Sequence, residues 1–315
     1  MLTWKKSSWS TRPIHRLYLL KDREEQESAA YVGTFAASRY YSRTWLLHQL
    51  GVDGTRAQVL SHQLYGRVVD FLRQTEDVKF VMGTFPKNAR VFQRYYLDFI
   101  RGDPEGDKHH LEETNIMEFE VDRCLDDLHG VAAVGMEVVP YRLGDQAYVL
   151  EVLSRSHSPL YLEAHDLKPF DLLLEEVSDI YERVSLRRGR NIFMARKQGR
   201  DVGFAIVECG SEDQNVFSLF DCFRIYVVDE AFAEETKAAL LRRVLEHYRE
   251  KNIAHAIAWS DDAAFGKLCP SAKLFYEVYY WVAKADRMKP FLRHLDTLHG
   301  TMTVLRRRKK NPSTS

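Results

Sequence analysis

The segment VFSLFDCFRIYVVDEAFAEETKAALLRRVLEHYREKNIAHAIAW, residues 216–259, decides the fold class. Its first part, 216–228, is rich in aromatic and β-branched residues and predicts a strand. AEETKAALLRRVLEHYRE (233–250) predicts a long helix, and AHAIAW (254–259) a second strand. Upstream, strands are predicted at 191–197 and 201–208; downstream, a loop carrying Pro270 leads into a predicted helix at 271–281. The beginning of the chain has the same order. Strands are predicted at 14–20, 29–36 and 44–50, then a helix at 57–74 with Leu60, Leu64, Val68, Phe71 and Leu72 on one face. A strand at 78–82, a helix at 88–99 and a polar loop at 101–110 follow.

Laid over one another, the halves bring Val52 onto Val228, Asp53 onto Asp229 and Leu72 onto Tyr248. A further step in the loop before the last element brings Ala89 onto Ala272 and Phe92 onto Phe275. The shared order strand–strand–strand–helix–strand–helix predicts a duplicated α/β (α+β) chain. The expected domains are 1–120 and 121–305, with a basic disordered tail at 306–315. The join, 121–186, predicts two strands around a Gly144–Asp145 turn and a helical run near 170–185.

Composition narrows the class. At 315 residues and 45% hydrophobic, the chain can bury a core in each half, which excludes a disordered or fibrous protein. Lys+Arg and Asp+Glu are 45 each, and this balance disfavours a nucleic-acid partner. The four cysteines, Cys124, Cys209, Cys222 and Cys269, form no Cys-x-x-Cys pair. No metal is therefore expected, and free thiols fit a cytoplasmic location. The longest apolar runs, such as 131–139, are shorter than the ~20 residues that span a bilayer, so no membrane is expected. The chain has no G-x-S-x-G, Walker or G-x-G-x-x-G motif to support hydrolase, nucleotide-hydrolysing or dinucleotide chemistry.

Antiparallel strands feeding a helix, then a strand and a shorter helix with an aromatic pair, resemble the GNAT (general N-acetyltransferase) superfamily, and two copies resemble its tandem members. The resemblance implies two domains, each a mixed, mostly antiparallel twisted sheet flanked by helices. It also implies an acyl-CoA-dependent N-acyltransferase using acetyl-CoA or another acyl-CoA on a small-molecule or peptide acceptor. In that family an R/Q-x-x-G-x-G/A turn at the start of the long helix holds the CoA pyrophosphate on backbone N–H groups. The matching first-half residues are Gly54, Thr55, Arg56, Ala57, Gln58 and Ser61, with Val59 where a glycine is expected, so the turn is degenerate. In the second half Phe232, Glu235 and Lys237 replace the arginine and the glycines, and Glu234 adds a further carboxylate that repels phosphate. The family's tyrosine acid falls on Tyr276 and its carboxylate base on Asp221. In the first half Gln93 takes the tyrosine position, with Tyr95 and Tyr96 following.

The stretch RRGRNIFMARKQGR (187–200) carries six basic residues and no acid. Arg187, Arg188 and Arg190 therefore support a second expectation: a non-catalytic module of this fold that binds a phosphorylated ligand such as a nucleotide, or a protein partner. His109 and His110 lack the spacing of a metal site and are expected to be structural.

Overall fold

The computed structural model describes residues 14–21, 31–52, 57–131, 135–211, 218–260 and 264–298. They form two compact units, the first made of residues 1–111 and 280–315 and the second of 112–279. The contacts divide the chain at 111/112 and again at 279/280, where the sequence reading expects a boundary at 120. The first unit takes back the chain's last part, because residues after 279 supply its core.

In the first unit β1 (His15–Lys21), β2 (Tyr31–Tyr41) and β3 (Thr44–Val52) form an antiparallel meander. Helix α1 (Ala57–Gln74) returns the chain to β4 (Phe80–Pro86), which pairs parallel to β3. Leu60, Leu64, Tyr65, Val68, Val69 and Leu72 form the buried face of α1; four of the five residues expected on it are there, with Tyr65 and Val69 added, while Phe71 is only half-buried. The helical run α2 follows in three segments, Arg90–Phe92, a π turn Gln93–Leu97, and Asp98–Gly102. An aromatic nucleus closes the unit. Tyr96 stacks on Phe85 and on Phe291, at 4.7 and 5.1 Å between centroids, with Trp281 at 5.0 Å.

The second unit begins within β5 (His109–Glu120), a strand absent from the sequence reading. It continues through α3 (Val121–Asp127), β6 (Met136–Pro140), α4 (Gln146–Ser156), α5 (Pro159–Ala164) and α6 (Glu175–Glu182). Then come β7 (Arg188–Lys197), β8 (Arg200–Gly210), β9 (Cys222–Val227), α7 (Ala233–Glu250), β10 (His255–Trp259), α8 (Ala264–Leu268) and β11 (Lys273–Lys284), which from Tyr280 on belongs to the first unit. Its strands lie in the order β5-β10-β9-β8-β7-β6. All neighbouring pairs are antiparallel except β9 and β10. Leu240, Leu241, Val244, Leu245 and Tyr248 of α7 pack on Phe119, Phe193, Val207 and Phe223. Both units thus contain the meander–helix–parallel-strand order that the sequence repeats.

Two elements differ in kind from the reading. The second strand predicted around Gly144–Asp145 is helix α4, whose Val149 and Leu153 are buried four residues apart. The turn before it is closed by the Arg142 amide donating to Asp145 at 2.8 Å. The helix predicted at 271–281 is strand β11. Its KLFYEVYYWV run is aromatic and β-branched, which suits a pleated surface better than a helix. The pairings of Ala89 with Ala272 and of Phe92 with Phe275 therefore fail, because Phe92 is helical and Phe275 lies on a strand.

Candidate functional site

In the first unit β3 and β4 pair only from Thr44–Phe80 to Leu47–Gly83, although both strands continue beyond. A bulge lies on the other edge of β3. Thr34 pairs with Gly51 and Ala36 with His48, so β3 carries one extra residue there. Gln49 takes it up in the left-handed region, at φ 57°. Such a bulge bends and twists its strand, and here it marks where β3 leaves its parallel neighbour. The chain then passes into α1, whose first turn contains no acidic residue.

The corresponding place in the second unit has different chemistry. β8 and β9 pair in continuous register from Gly203–Val227 to Val207–Phe223, with no bulge. β9 and β10 pair at Cys222–Ile257 and Phe223–Ala258, and β9 continues to Val227. Glu234 and Glu235 occupy the first turn of α7, and Glu235 accepts from Lys197 Nζ at 2.5 Å. Carboxylates already complement this helix terminus and oppose a pyrophosphate.

The sequence candidates are scattered. Gly54, Thr55 and Arg56 lie outside the described residues, as do the side chains of Ala57 and Gln58, which open α1. Ser61 is buried on α1. Asp221 is buried, but it precedes β9 and is not inside a strand. One of its oxygens accepts the Gly210 amide at 2.9 Å and its carbonyl accepts the Ile257 amide at 2.9 Å, so it fastens three segments together. Tyr276 is 47% exposed on β11, not on a helix.

The arginine segment is also corrected. Arg187 is exposed, but Arg188 and Arg190 are buried and converge on the buried Glu208. Arg188 donates to Glu208 and, at 3.0 Å, to the Phe220 carbonyl. Arg190 donates through Nε and Nη2 to Glu208 Oε1 at 2.9 and 2.7 Å, and to the His165 carbonyl at 2.8 Å. These guanidinium groups are turned onto partners within the protein. In the sequence they look like a basic patch because β7's alternation, which turns Arg188 and Arg190 inward, is invisible in a charge count.

Three clusters were missed by the sequence reading. His15 Nδ1 and His48 Nε2 both lie 2.8 Å from the Ser38 hydroxyl. Burial lowers His15 to about 4 and His48 to about 3, so both rings are neutral at pH 7. In the second unit Arg224 and Tyr226 of β9 lie beside α4 and α5. Arg224 Nη1 donates to Glu112 at 3.1 Å, and its guanidinium carbon lies 5.6 Å from the Tyr161 ring and 5.9 Å from the Trp259 ring. Tyr226, pushed up to about 12 by burial, is 2.9 Å from His157 Nε2. The thiols of Cys124 and Cys269 and the carboxylate of Asp127 also converge within 4.8 Å, although no metal was expected from the spacing.

No protein-family model and no curated protein matches the chain. Several solved structures are similar to it in fold. A tandem GNAT protein from the clavulanic acid biosynthesis pathway is 15% identical over 89% of this chain and 87% of that one, with a TM-score of 0.43. A GCN5-related N-acetyltransferase from Kribbella flavida is 10% identical over 89% and 94%, with a TM-score of 0.45. A GCN5-related N-acetyltransferase-like protein from Streptococcus suis is 9% identical over 86% and 88%, with a TM-score of 0.40.

Proposed function

We propose that the chain is an acyl-CoA-dependent N-acyltransferase of the GNAT type whose first unit holds the acyl donor. The observation that carries this reading is the parting of β3 from β4 after Leu47 and Gly83, beside the bulge at Gln49. Two parallel strands that part present backbone N–H and C=O groups between them. The amide-bearing arm of CoA can pair with such groups as an added strand does. The N-terminus of α1 lies just beyond the end of β3 and supplies orphan amides to the pyrophosphate. Arg56 precedes it in sequence, and no carboxylate opposes it in the first turn.

In the reaction the acceptor amine attacks the thioester carbonyl and the carbon–sulfur bond breaks. The amine loses its proton and the CoA sulfur gains one. We assign the donation to sulfur to Tyr95. It lies on the π turn of α2 and is buried, whereas the neighbouring Tyr96 is already bonded to the Tyr65 hydroxyl at 2.5 Å. Burial raises Tyr95, so it carries its proton at neutral pH. The acceptor is a small-molecule or peptide amine. The non-catalytic reading through Arg187, Arg188 and Arg190 is not favoured, because Glu208 and backbone carbonyls take up two of the three guanidinium groups.

The test is release of free thiol from acetyl-CoA against a panel of amines. Tyr95→Phe should lower kcat by roughly 10²-fold or more with KM for acetyl-CoA unchanged, the size of effect general acids carry. Tyr276→Phe should leave both constants unchanged. Full turnover in the Tyr95 variant removes the acid assignment.

A further inference from the structure

Arg224 is held unlike the buried arginines of the second unit, Arg188 and Arg190. Its side chain keeps 16% exposure, with the Tyr161 and Trp259 rings beside it. Its hydrogen bond runs from Nη1 to Glu112 Oε1 at 3.1 Å. The side-on edge, Nε with Nη2, has no acceptor among the described residues. Arg190, on the same sheet, shows what satisfies that edge, since both its Nε and its Nη2 bond one carboxylate oxygen of Glu208. A guanidinium fixed by an ion pair and flanking rings, with this edge unmatched, is preorganised for a planar oxyanion.

Arg224 stands on β9 where the second unit's parallel strands part. β10 ends at Trp259, and Phe223 is the last residue of β9 that pairs with it, immediately before Arg224. Charge selects among oxyanions. Glu112 already neutralises Arg224, so a ligand adds its whole charge beside a carboxylate. A phosphate dianion meets about twice the repulsion that a monoanion meets.

We propose that Arg224 binds a small monocarboxylate through its Nε–Nη2 edge, alongside Tyr161 and Trp259. The site lies within the second unit and is independent of whether the first unit binds an acyl donor.

Saturation-transfer NMR on the full chain tests it, with sodium acetate as the probe and inorganic phosphate as the comparison, at constant ionic strength. Acetate should bind saturably. Arg224→Lys should weaken it by at least about tenfold, because an ammonium offers a point charge and no fork. Removing Arg224 alone leaves Glu112 uncompensated, so Arg224→Met is combined with Glu112→Gln, and circular dichroism checks the fold. That double variant should lose acetate, while Arg155→Gln, at an exposed position of α4, should keep it. The proposal is overturned by acetate binding unchanged in the Arg224 variants, by no saturable binding to the wild type, or by phosphate binding as tightly as acetate.

Discussion

At the scale of single residues, His15 and His48 share one hydroxyl, Ser38, and this has a consequence for acid stability. The Ser38 hydroxyl has one proton, so where it donates to one ring it accepts from the other; the ring it donates to must be neutral with its bare nitrogen aimed at the oxygen, and the other ring donates an N–H. The folded values, about 4 and about 3, lie below the ordinary 6.5 of an unfolded histidine. Between those limits the unfolded chain binds more protons, so stability rises with pH. The contribution is complete above about pH 6.5 and is lost as pH falls toward 4 and then 3. For His15 alone the difference corresponds to about 3 kcal/mol. Thermal unfolding should therefore shift downward between pH 6.5 and 4, and His48→Gln should flatten that slope. A slope identical in the variant would show that these rings do not govern it. None of this was legible beforehand, because His15, Ser38 and His48 sit on three strands and meet only through the register of the meander.

Elements were legible where one face faces a core. Helix α1 was read at its observed bounds because its buried residues repeat at helical spacing. Strand β5 was invisible. Its sequence, HHLEETNIMEFE, looks like a polar loop, yet its polar side chains have partners far along the chain: His109 Nδ1 accepts from Trp281 Nε1 at 3.2 Å, and Glu112 accepts from Arg224. Helix α4 and strand β11 were exchanged for the opposite type because short apolar runs fit either period. The bulge in β3 has no signature either, since Gln49 is not a residue that favours positive φ. That conformation makes a prediction. Gln49→Gly should keep or raise the melting temperature, while Gln49→Val should lower stability by about 1–2 kcal/mol or more, because a β-branched side chain is strained in the left-handed region. A valine variant as stable as the wild type would mean that β3 is not bulged at this residue.

Across the whole molecule, the first unit is assembled from both parts of the chain that flank the second. Trp281, Phe291 and Leu295 fill its core, and Arg287 grips Asp103 through Nε and Nη2 at 2.9 and 2.5 Å. A reading that assumes contiguous domains misses this, and it placed the boundary at residue 120. Phe291 lies within 5.5 Å of Tyr65, Tyr96 and Phe99 by ring centroid. Phe291→Ala should accordingly destabilise the first unit by about 3–5 kcal/mol. Limited proteolysis should then cut first within 14–111, and cleavage confined to 112–279 would place Phe291 in the wrong unit.

The proposed donor site joins these scales: a bulge at one residue and a pair of parting strands in one unit of two. Calorimetric titration of the full chain with coenzyme A at moderate salt tests this most directly. Saturable binding that weakens in Arg56→Glu and is unchanged in Glu234→Gln/Glu235→Gln is the expected result. No binding, or binding that ignores Arg56→Glu and responds to the glutamates of α7, contradicts the assignment of the donor to the first unit.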